Sequence, residues 1–254
     1  MATVRNGEVR LHYRADGEGD RTIVFIPDAG CGAWQWAWQA PAIAGPVETL
    51  VYYPRGTGPS DSPPGPYPLD ALVGDLEAIL ADHGASNVTL VGAGFGGVLA
   101  LEHAHHSSRP DRIVVLGAGA VGAQFQLDPL FAGADSIDGL LGGPFVDDRP
   151  ADVERIVGWR RDEDAVGPAA SAYREALRTV DLSDRLVAIT DPTLVLHGTV
   201  DGVVSPDHGR SLAENLPRGT FEPIEGGQHW FFIEQARRIT DRIAGFLPES
   251  DRES

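Results

Sequence analysis

Short runs of apolar, often β-branched residues alternate along the chain with stretches that carry apolar residues at helical spacing. Such runs predict buried strands, because a strand covered on both faces has no polar side. Strands that alternate with helices are typical of an α/β fold, a mostly parallel sheet flanked by helices. The predicted strands are 22–26, 49–53, 87–91, 112–116, 193–197 and 220–224, and the predicted helices are 36–43, 69–83, 95–106, 206–215 and 231–246.

The two ends of the chain depart from this alternation. Residues 4–6 and 9–14 predict the arms of a hairpin, which turns at Asn6-Gly7, a favoured pair for a two-residue turn. The C-terminal tail, 248–254, is short and polar, and we expect it to be frayed.

The segment 120–184 also breaks the rhythm, since it is rich in Gly, Asp and Ala and carries helical pieces at 153–161 and 169–179. We expect this segment, called the cap below, to be a small helical insertion. The α/β core would then consist of residues 1–119 and 185–254, in a single domain of ordinary size.

The charge balance restricts the partners. The 254 residues include 37 acidic and 20 basic ones, for a net charge of −17, and every basic residue is Arg. Nucleic acids and anionic membranes need a basic face, so neither is expected to bind. An acidic, lysine-free composition resembles that of proteins from salt-loving archaea, in which salt screens self-repulsion. The alternative is an ordinary acidic enzyme, which leaves the missing lysine unexplained.

Several further classes are excluded by residue type. Cys31 is the single cysteine, so neither an internal disulfide nor a cysteine-based metal cluster can form. The N-terminus has no apolar signal core, and the longest apolar stretch, about 113–123, is shorter than the roughly 20 residues that span a bilayer. We therefore expect a cytoplasmic protein that binds a small molecule, without metal or cofactor. The oligomeric state is not predictable.

A predicted strand, a glycine-rich turn and a helix follow one another at 89–98. Together with the turn at 55–61, this arrangement resembles the α/β-hydrolase family, whose G-x-S-x-G motif places a serine nucleophile on a sharp strand-to-helix turn. Gly92 and Gly96 match the flanking glycines, but Gly94 stands at the serine position. No acyl-enzyme can form there, because glycine has no side chain to attack a carbonyl.

The same turn also satisfies the dinucleotide-binding pattern G-x-G-x-x-G through Gly92, Gly94 and Gly97. That pattern expects an acidic residue at the end of the next strand, where the sequence at 115–118 has none. The nucleotide-binding alternative is therefore the weaker one.

Two later motifs resemble the remaining catalytic groups of the family. The loop after strand 193–197 carries Asp201, and the segment before the last helix carries His229, in the family's order of elbow, acid and histidine. An aspartate that binds one imidazole nitrogen fixes the tautomer, so that the other nitrogen can act as a base. The alternative is a hydrogen bond kept for structure alone.

The stretch 23–34 resembles the family's oxyanion strand and loop, with Pro27-Asp28 where His-Gly is usual. The resemblance implies that the backbone amides of Ala29 and Phe95 form an oxyanion hole. Asp28 would repel an oxyanion, but it is a possible acid/base group; alternatively it caps the next segment or pairs with an arginine.

Aromatic residues cluster by sequence around these motifs, and Trp34 and Trp230 are expected to wall an apolar pocket under the cap. We therefore expect His229, oriented by Asp201, to act as a general base on a small apolar ester, lactone or related carbonyl compound, by hydrolysis or a lyase-type deprotonation. The main alternative is a pseudo-hydrolase that binds a small molecule without chemistry. A displaced nucleophile is the least favoured reading; its candidates are Ser60, Ser107, Ser108, Ser205 and Cys31.

Overall fold

An eight-stranded, mostly parallel sheet forms the centre of the molecule in this computed structural model, which describes residues 1–247. The tail expected to be frayed lies outside the described residues. The strands are β1 Ala2–Asn6, β2 Val9–Asp16, β3 Thr22–Ile26, β4 Glu48–Tyr53, β5 Val88–Ala93, β6 Pro110–Leu116, β7 Thr193–Gly198 and β8 Gly219–Ile224. Their order in the sheet is β1-β2-β4-β3-β5-β6-β7-β8, and only the β1–β2 and β2–β4 pairs are antiparallel. The predicted fold class is thereby confirmed.

The helices flank this sheet and build the cap. In chain order they are α1 Gln39–Ile43, α2 Leu69–His83, α3 Phe95–His106, α4 Leu127–Leu130, α5 Gly143–Asp148, α6 Pro150–Glu163, α7 Gly167–Arg178, α8 Pro206–Asn215, α9 Phe231–Glu234 and α10 Ala236–Phe246. Three short 3₁₀ turns lie at Ala33–Trp36, Gly122–Gln124 and Leu186–Ala188. None of the helices within residues 1–247 is both long enough and apolar enough to cross a bilayer.

Two predicted helices are interrupted. The helix expected at 36–43 is a 3₁₀ turn followed by α1, because Pro41 lacks an N–H and its ring would clash with the carbonyl of residue 37. Pro41 fits only in the first turn of a helix that begins at Gln39. The helix expected at 231–246 breaks at Gln235, whose side-chain amide donates to the Glu225 carbonyl.

The two ends of the cap lie side by side. Leu182 N–H donates to the Ala120 carbonyl at 2.9 Å, and Gly122 N–H donates to the Val180 carbonyl at 2.9 Å. The segment 120–184, which carries α4 to α7, therefore begins and ends at one place beside the sheet. The carboxyl ends of β3 and β5 are neighbours beneath the cap, and the carboxyl end of β7 lies beyond β6 at the same edge of the sheet.

Candidate active site

The turn between β5 and α3 is sharp and depends on glycine. Gly94 has φ 50° and ψ −117°, a conformation that L side chains rarely adopt. Gly96 lies directly against the end of β3, where a Cβ would overlap the carbonyl oxygen of Ile26. The turn thus brings the first amides of α3 to Asp28, which lies two residues beyond the end of β3.

The Asp28 carboxylate fills the space above this turn. Its Oδ1 accepts hydrogen bonds from the backbone N–H groups of Ala29 at 2.7 Å and Phe95 at 2.8 Å. A Cβ placed on Gly94 would overlap the same oxygen. The side chain is 1% exposed. A carboxylate supplied by the β3 loop therefore occupies the place where the elbow's own side chain would stand.

The predicted oxyanion amides do converge on one point, but a protein carboxylate occupies that point. Ala29 and Phe95 both donate to Asp28 Oδ1, which satisfies their N–H groups. In this conformation the two amides stabilise the charge of Asp28 and present no free donor to a substrate oxygen. The alternative roles considered for Asp28, a helix cap or an arginine partner, do not match these contacts.

His229 lies between two carboxylates. Its Nδ1 donates to Asp201 Oδ2 at 2.9 Å, and its Nε2 donates to Asp28 Oδ2 at 2.9 Å. When both acids are ionised their oxygens only accept, so both ring nitrogens carry protons and the ring is an imidazolium. Asp28, His229 and Asp201 therefore form one continuous line of hydrogen bonds over Gly94.

The electrostatics agree with this geometry. Burial would lower the pKa of His229, but the Asp201 and Asp28 carboxylates outweigh burial and raise it to about 10. Burial likewise opposes the charged form of Asp201, yet the His229 charge and hydrogen bonds from His197 and His229 hold the pKa of Asp201 well below its usual value. At neutral pH the imidazole nitrogens are consequently proton donors.

The Asp201 carboxylate is fixed from its own loop as well. Its Oδ1 accepts from the backbone N–H groups of Val203 at 2.8 Å and Val204 at 2.9 Å. His197, at the end of β7, approaches Oδ2 from the other side, with Nε2 at 3.3 Å. The loop after β7 thus points one oriented carboxylate at His229.

The cap is fastened to the loop that follows Asp28. Asp164, at the end of α6, accepts from Trp34 Nε1 at 2.7 Å and from the Gly32 N–H at 3.1 Å. Glu163 accepts from the Trp34 N–H at 3.0 Å. These contacts cover the site, and they were not predicted, because no motif in 120–184 marks the two acids as partners of a distant loop.

Trp34 and Trp230 are buried where the core meets the cap. Their rings pack edge to face with centroids 5.4 Å apart, and the Arg160 guanidinium lies 5.2 Å from the Trp230 ring centroid. A cavity of about 220 Å³ lies nearby, between residues 29–31 of the oxyanion loop and residues 160–170 of the cap. Neither tryptophan lines this cavity, so both serve here as packing residues.

Larger openings lie elsewhere. An open groove of about 970 Å³ runs along α10 between Trp38 and Arg149, away from Asp28 and His229. No group of three or more His, Cys, Asp or Glu side chains within residues 1–247 is arranged to hold a metal ion. The Gly92–Gly97 turn faces the Asp28 carboxylate, which would repel the phosphates of a dinucleotide.

The candidates for a displaced nucleophile are engaged in other contacts. Ser60 donates to the Tyr53 carbonyl at 2.6 Å and accepts from the His12 N–H, and Ser205 caps α8. The Cys31 thiol is buried, and burial raises its pKa well above the usual value, which disfavours the thiolate. Ser107 and Ser108 follow α3, at the end of the helix opposite the elbow.

Comparison with known proteins identifies the class. A family model described as the alpha/beta hydrolase family matches residues 23–242. The chain therefore belongs to this family, as the motifs indicated.

Individual relatives extend this result. The chain is 27% identical to 3-oxoadipate enol-lactonase 2 of Acinetobacter baylyi over 258 residues, with 96% of each protein covered. It is 30% identical to the polyketide synthase ThaQ of Burkholderia thailandensis, where the match covers 97% of this chain but spans only 12% of the synthase. Among solved structures, the enol-lactonase from Burkholderia xenovorans superimposes with a TM-score of 0.83 at 26% identity, over 95% of this chain and 97% of that one.

Proposed function

We propose that this chain hydrolyses a small ester, lactone or related carbonyl compound without forming an acyl-enzyme. In this proposal Asp28 is the general base, the His229 imidazolium is the general acid, and Asp201 orients His229. The observation that carries the proposal is the 2.9 Å contact between His229 Nε2 and Asp28 Oδ2, above an elbow that has no hydroxyl.

The assignment of base and acid follows from the protonation of His229. With both nitrogens occupied and its pKa raised to about 10, His229 is a poor proton acceptor at neutral pH. A general base needs an open electron pair, which carboxylate oxygens offer and the two protonated nitrogens of His229 do not. In our proposal the general base is therefore the Asp28 carboxylate, whereas the sequence predicts His229 in that role.

The proton transfers balance over one cycle. Asp28 takes a proton from water, and the hydroxide adds to the substrate carbonyl carbon. When the tetrahedral intermediate collapses, the carbon–oxygen bond to the leaving group breaks and His229 Nε2 gives its proton to the departing oxygen. Asp28 then passes the proton it took to His229, and both residues return to their starting states with one water consumed.

The substrate class is inferred from the relatives and from the size of the cavity beside Ala29. One full-length relative is named an enol-lactonase, and a solved enol-lactonase shares the fold at more than 25% identity. The cavity beside Ala29 measures about 220 Å³, which is smaller than the roughly 300–1,000 Å³ of pockets that hold drug-sized ligands, and its lining includes neither Asp28 nor His229.

A panel of p-nitrophenyl acetate and γ-butyrolactone tests the proposal directly. We expect Asp28→Asn and His229→Gln each to lower kcat/KM by about 100-fold or more, the usual contribution of a positioned acid or base. Asp148→Asn makes the same chemical change on the exposed end of α5 and should leave the rate unchanged. Full activity of both site variants would refute the mechanism.

Turnover in H₂¹⁸O separates direct attack by water from attack by Asp28. Direct attack places the label in the product acid only. Attack by the Asp28 carboxylate would form an anhydride whose hydrolysis leaves ¹⁸O in the protein, detectable by mass spectrometry of the peptide that contains Asp28. Label in that peptide would overturn the proposed role of Asp28.

Two observations favour a second candidate, a pseudo-hydrolase that binds a small molecule without chemistry. Both oxyanion amides are already satisfied by Asp28, and Asp28 and His229 are each only 1% exposed. A binder predicts that the panel raises the melting temperature while wild type and Asp28→Asn show the same background turnover. A wild-type rate above that of Asp28→Asn decides for the enzyme.

A further inference from the structure

His197 is a fully buried histidine that the proposed reaction does not use. It is the penultimate residue of β7, four residues before Asp201, and it is 0% exposed. Its Nε2 lies 2.9 Å from the Val204 carbonyl oxygen and 3.3 Å from Asp201 Oδ2. Because both neighbours are oxygens that only accept, Nε2 must carry a proton that the two oxygens share.

The opposite side of the ring is closed by a helix. Gly209 of α8 lies against Nδ1, where any Cβ would overlap the ring. Among the described residues Nδ1 has no hydrogen-bond partner. The surroundings thus select the tautomer with the proton on Nε2, and glycine at 209 leaves the room that this ring position requires.

Two imidazoles therefore flank one carboxylate. His229 Nδ1 lies 2.9 Å from Asp201 Oδ2, and His197 Nε2 reaches the same oxygen from the side of β7. The Val203 and Val204 amides hold only Oδ1, so His197 is the one side chain besides His229 that restrains Oδ2 among the contacts of the described residues. Without His197, Asp201 Oδ2 would be held by His229 alone.

We infer that His197 is a positioning residue, which fixes the plane of the Asp201 carboxylate and through it the position of the His229 ring. This inference rests on the proposed function only in assigning His229 a catalytic role; the geometric claim concerns Asp201 and His229 themselves. The hydrogen bond from His197 Nε2 to the Val204 carbonyl also ties the loop after β7 to the strand. The neighbouring Val203 carbonyl accepts from the Gln126 N–H of the cap at 2.8 Å.

The test compares two substitutions by NMR titration of His229. His197→Leu keeps bulk but removes the donor, and we expect the pKa of His229 to fall by about one unit or more as Asp201 leaves its aligned position. His197→Gln retains an N–H donor at a similar reach and should restore at least half of that difference. Cooperative unfolding of each variant shows that the comparison is made on folded protein.

The outcome separates this inference from the proposed function, because no turnover is measured. A folded His197→Leu whose His229 titrates as in wild type would overturn the positioning role and leave the proposed acid–base mechanism untouched. If His197→Leu does not fold, the ¹⁵N chemical shifts of the imidazoles in the wild-type protein show which nitrogen of His197 carries the proton. His197 protonated on Nε2 supports the inference, and a proton on Nδ1 alone overturns it.

Discussion

At the scale of single residues, Asp28 and Gly94 form one unit. The carboxylate occupies the space that glycine leaves, and glycine adopts the positive φ of the turn without the strain that a side chain would add. A side chain at position 94 and the Asp28 carboxylate in its present position therefore exclude each other.

The close contact between Gly94 and Asp28 predicts how substitutions at these two positions change the free energy of unfolding. Gly94→Ser alone should lower the free energy of unfolding by about 2–4 kcal/mol, from the overlap with Asp28 Oδ1 and the strained backbone. Adding Asp28→Gly should recover at least half of this loss, and the double variant should react with a fluorophosphonate probe through the new serine. Urea denaturation and probe labelling measure the two effects. Equal stability of the single and double variants would contradict the coupling.

The raised pKa of His229 predicts how the free energy of unfolding depends on pH. Its pKa rises from 6.5 in the unfolded chain to about 10 in the folded protein. Below pH 6.5 both states hold the proton and the stabilisation is complete; above it the unfolded state releases a proton that the folded state keeps. The free energy of unfolding should therefore fall by about 1.4 kcal/mol per pH unit between about pH 7 and pH 8.5.

Urea denaturation at several pH values in this window measures the slope, to which the Cys31 thiol of the unfolded chain adds as it begins to ionise at about pH 8.5. His229→Gln has no imidazole and should remove most of the slope. A wild-type stability that is flat across the window would mean that His229 is not held as an imidazolium.

At the scale of elements, local periodicity was sufficient for the sheet and the long helices. α2, α3 and α8 have the predicted bounds, because each keeps its apolar spacing over its whole length. The predicted helix at 36–43 failed where Pro41 overrides periodicity. The cap's helical pieces were recognisable, but its attachment was not, since Asp164 and Trp34 meet across 130 positions of sequence.

The candidate site, like the elements, was predictable from the sequence only in part. Motif order predicts Asp201, His229 and the elbow, and the sequence places Asp28 where His-Gly is usual in the family. That the Asp28 side chain turns back onto the amides of Ala29 and Phe95 could not be predicted. This contact depends on how closely α3 approaches the end of β3, which is a property of the packed sheet.

The hydrogen bonds between Asp164 and the oxyanion loop predict that one substitution at Asp164 loosens both the cap and that loop. Asp164→Ala would leave the Trp34 indole N–H, the Gly32 amide and the buried Arg160 guanidinium without this acceptor. We expect a loss of about 2–4 kcal/mol in the free energy of unfolding. Hydrogen exchange should increase both in the cap and at residues 30–34. Exchange that increases in the cap alone would show that the two elements are not coupled.

At the scale of the whole molecule, excess negative charge is the dominant feature. The net charge of −17 is distributed over a surface whose arginines are in many cases already paired, as in the contacts of Arg10 with Asp61 and Arg242 with Glu222. The remaining acids repel one another in the folded state. Charges on a surface are screened over about 10 Å at 0.1 M salt and about 3 Å at 1 M, so the repulsion depends on the solvent.

We expect the melting temperature to rise by about 5–10 °C between 0.1 and 2 M KCl, as screening removes a destabilisation of a few kcal/mol. Asp147, Asp148 and Glu154 are exposed acids of α5 and α6, and replacing them with Asn, Asn and Gln lowers the charge without touching the site. This variant should melt higher than wild type at low salt and respond less to KCl. A melting temperature that stays constant or falls with KCl would exclude an adaptation to concentrated salt, and the missing lysines would then need another cause.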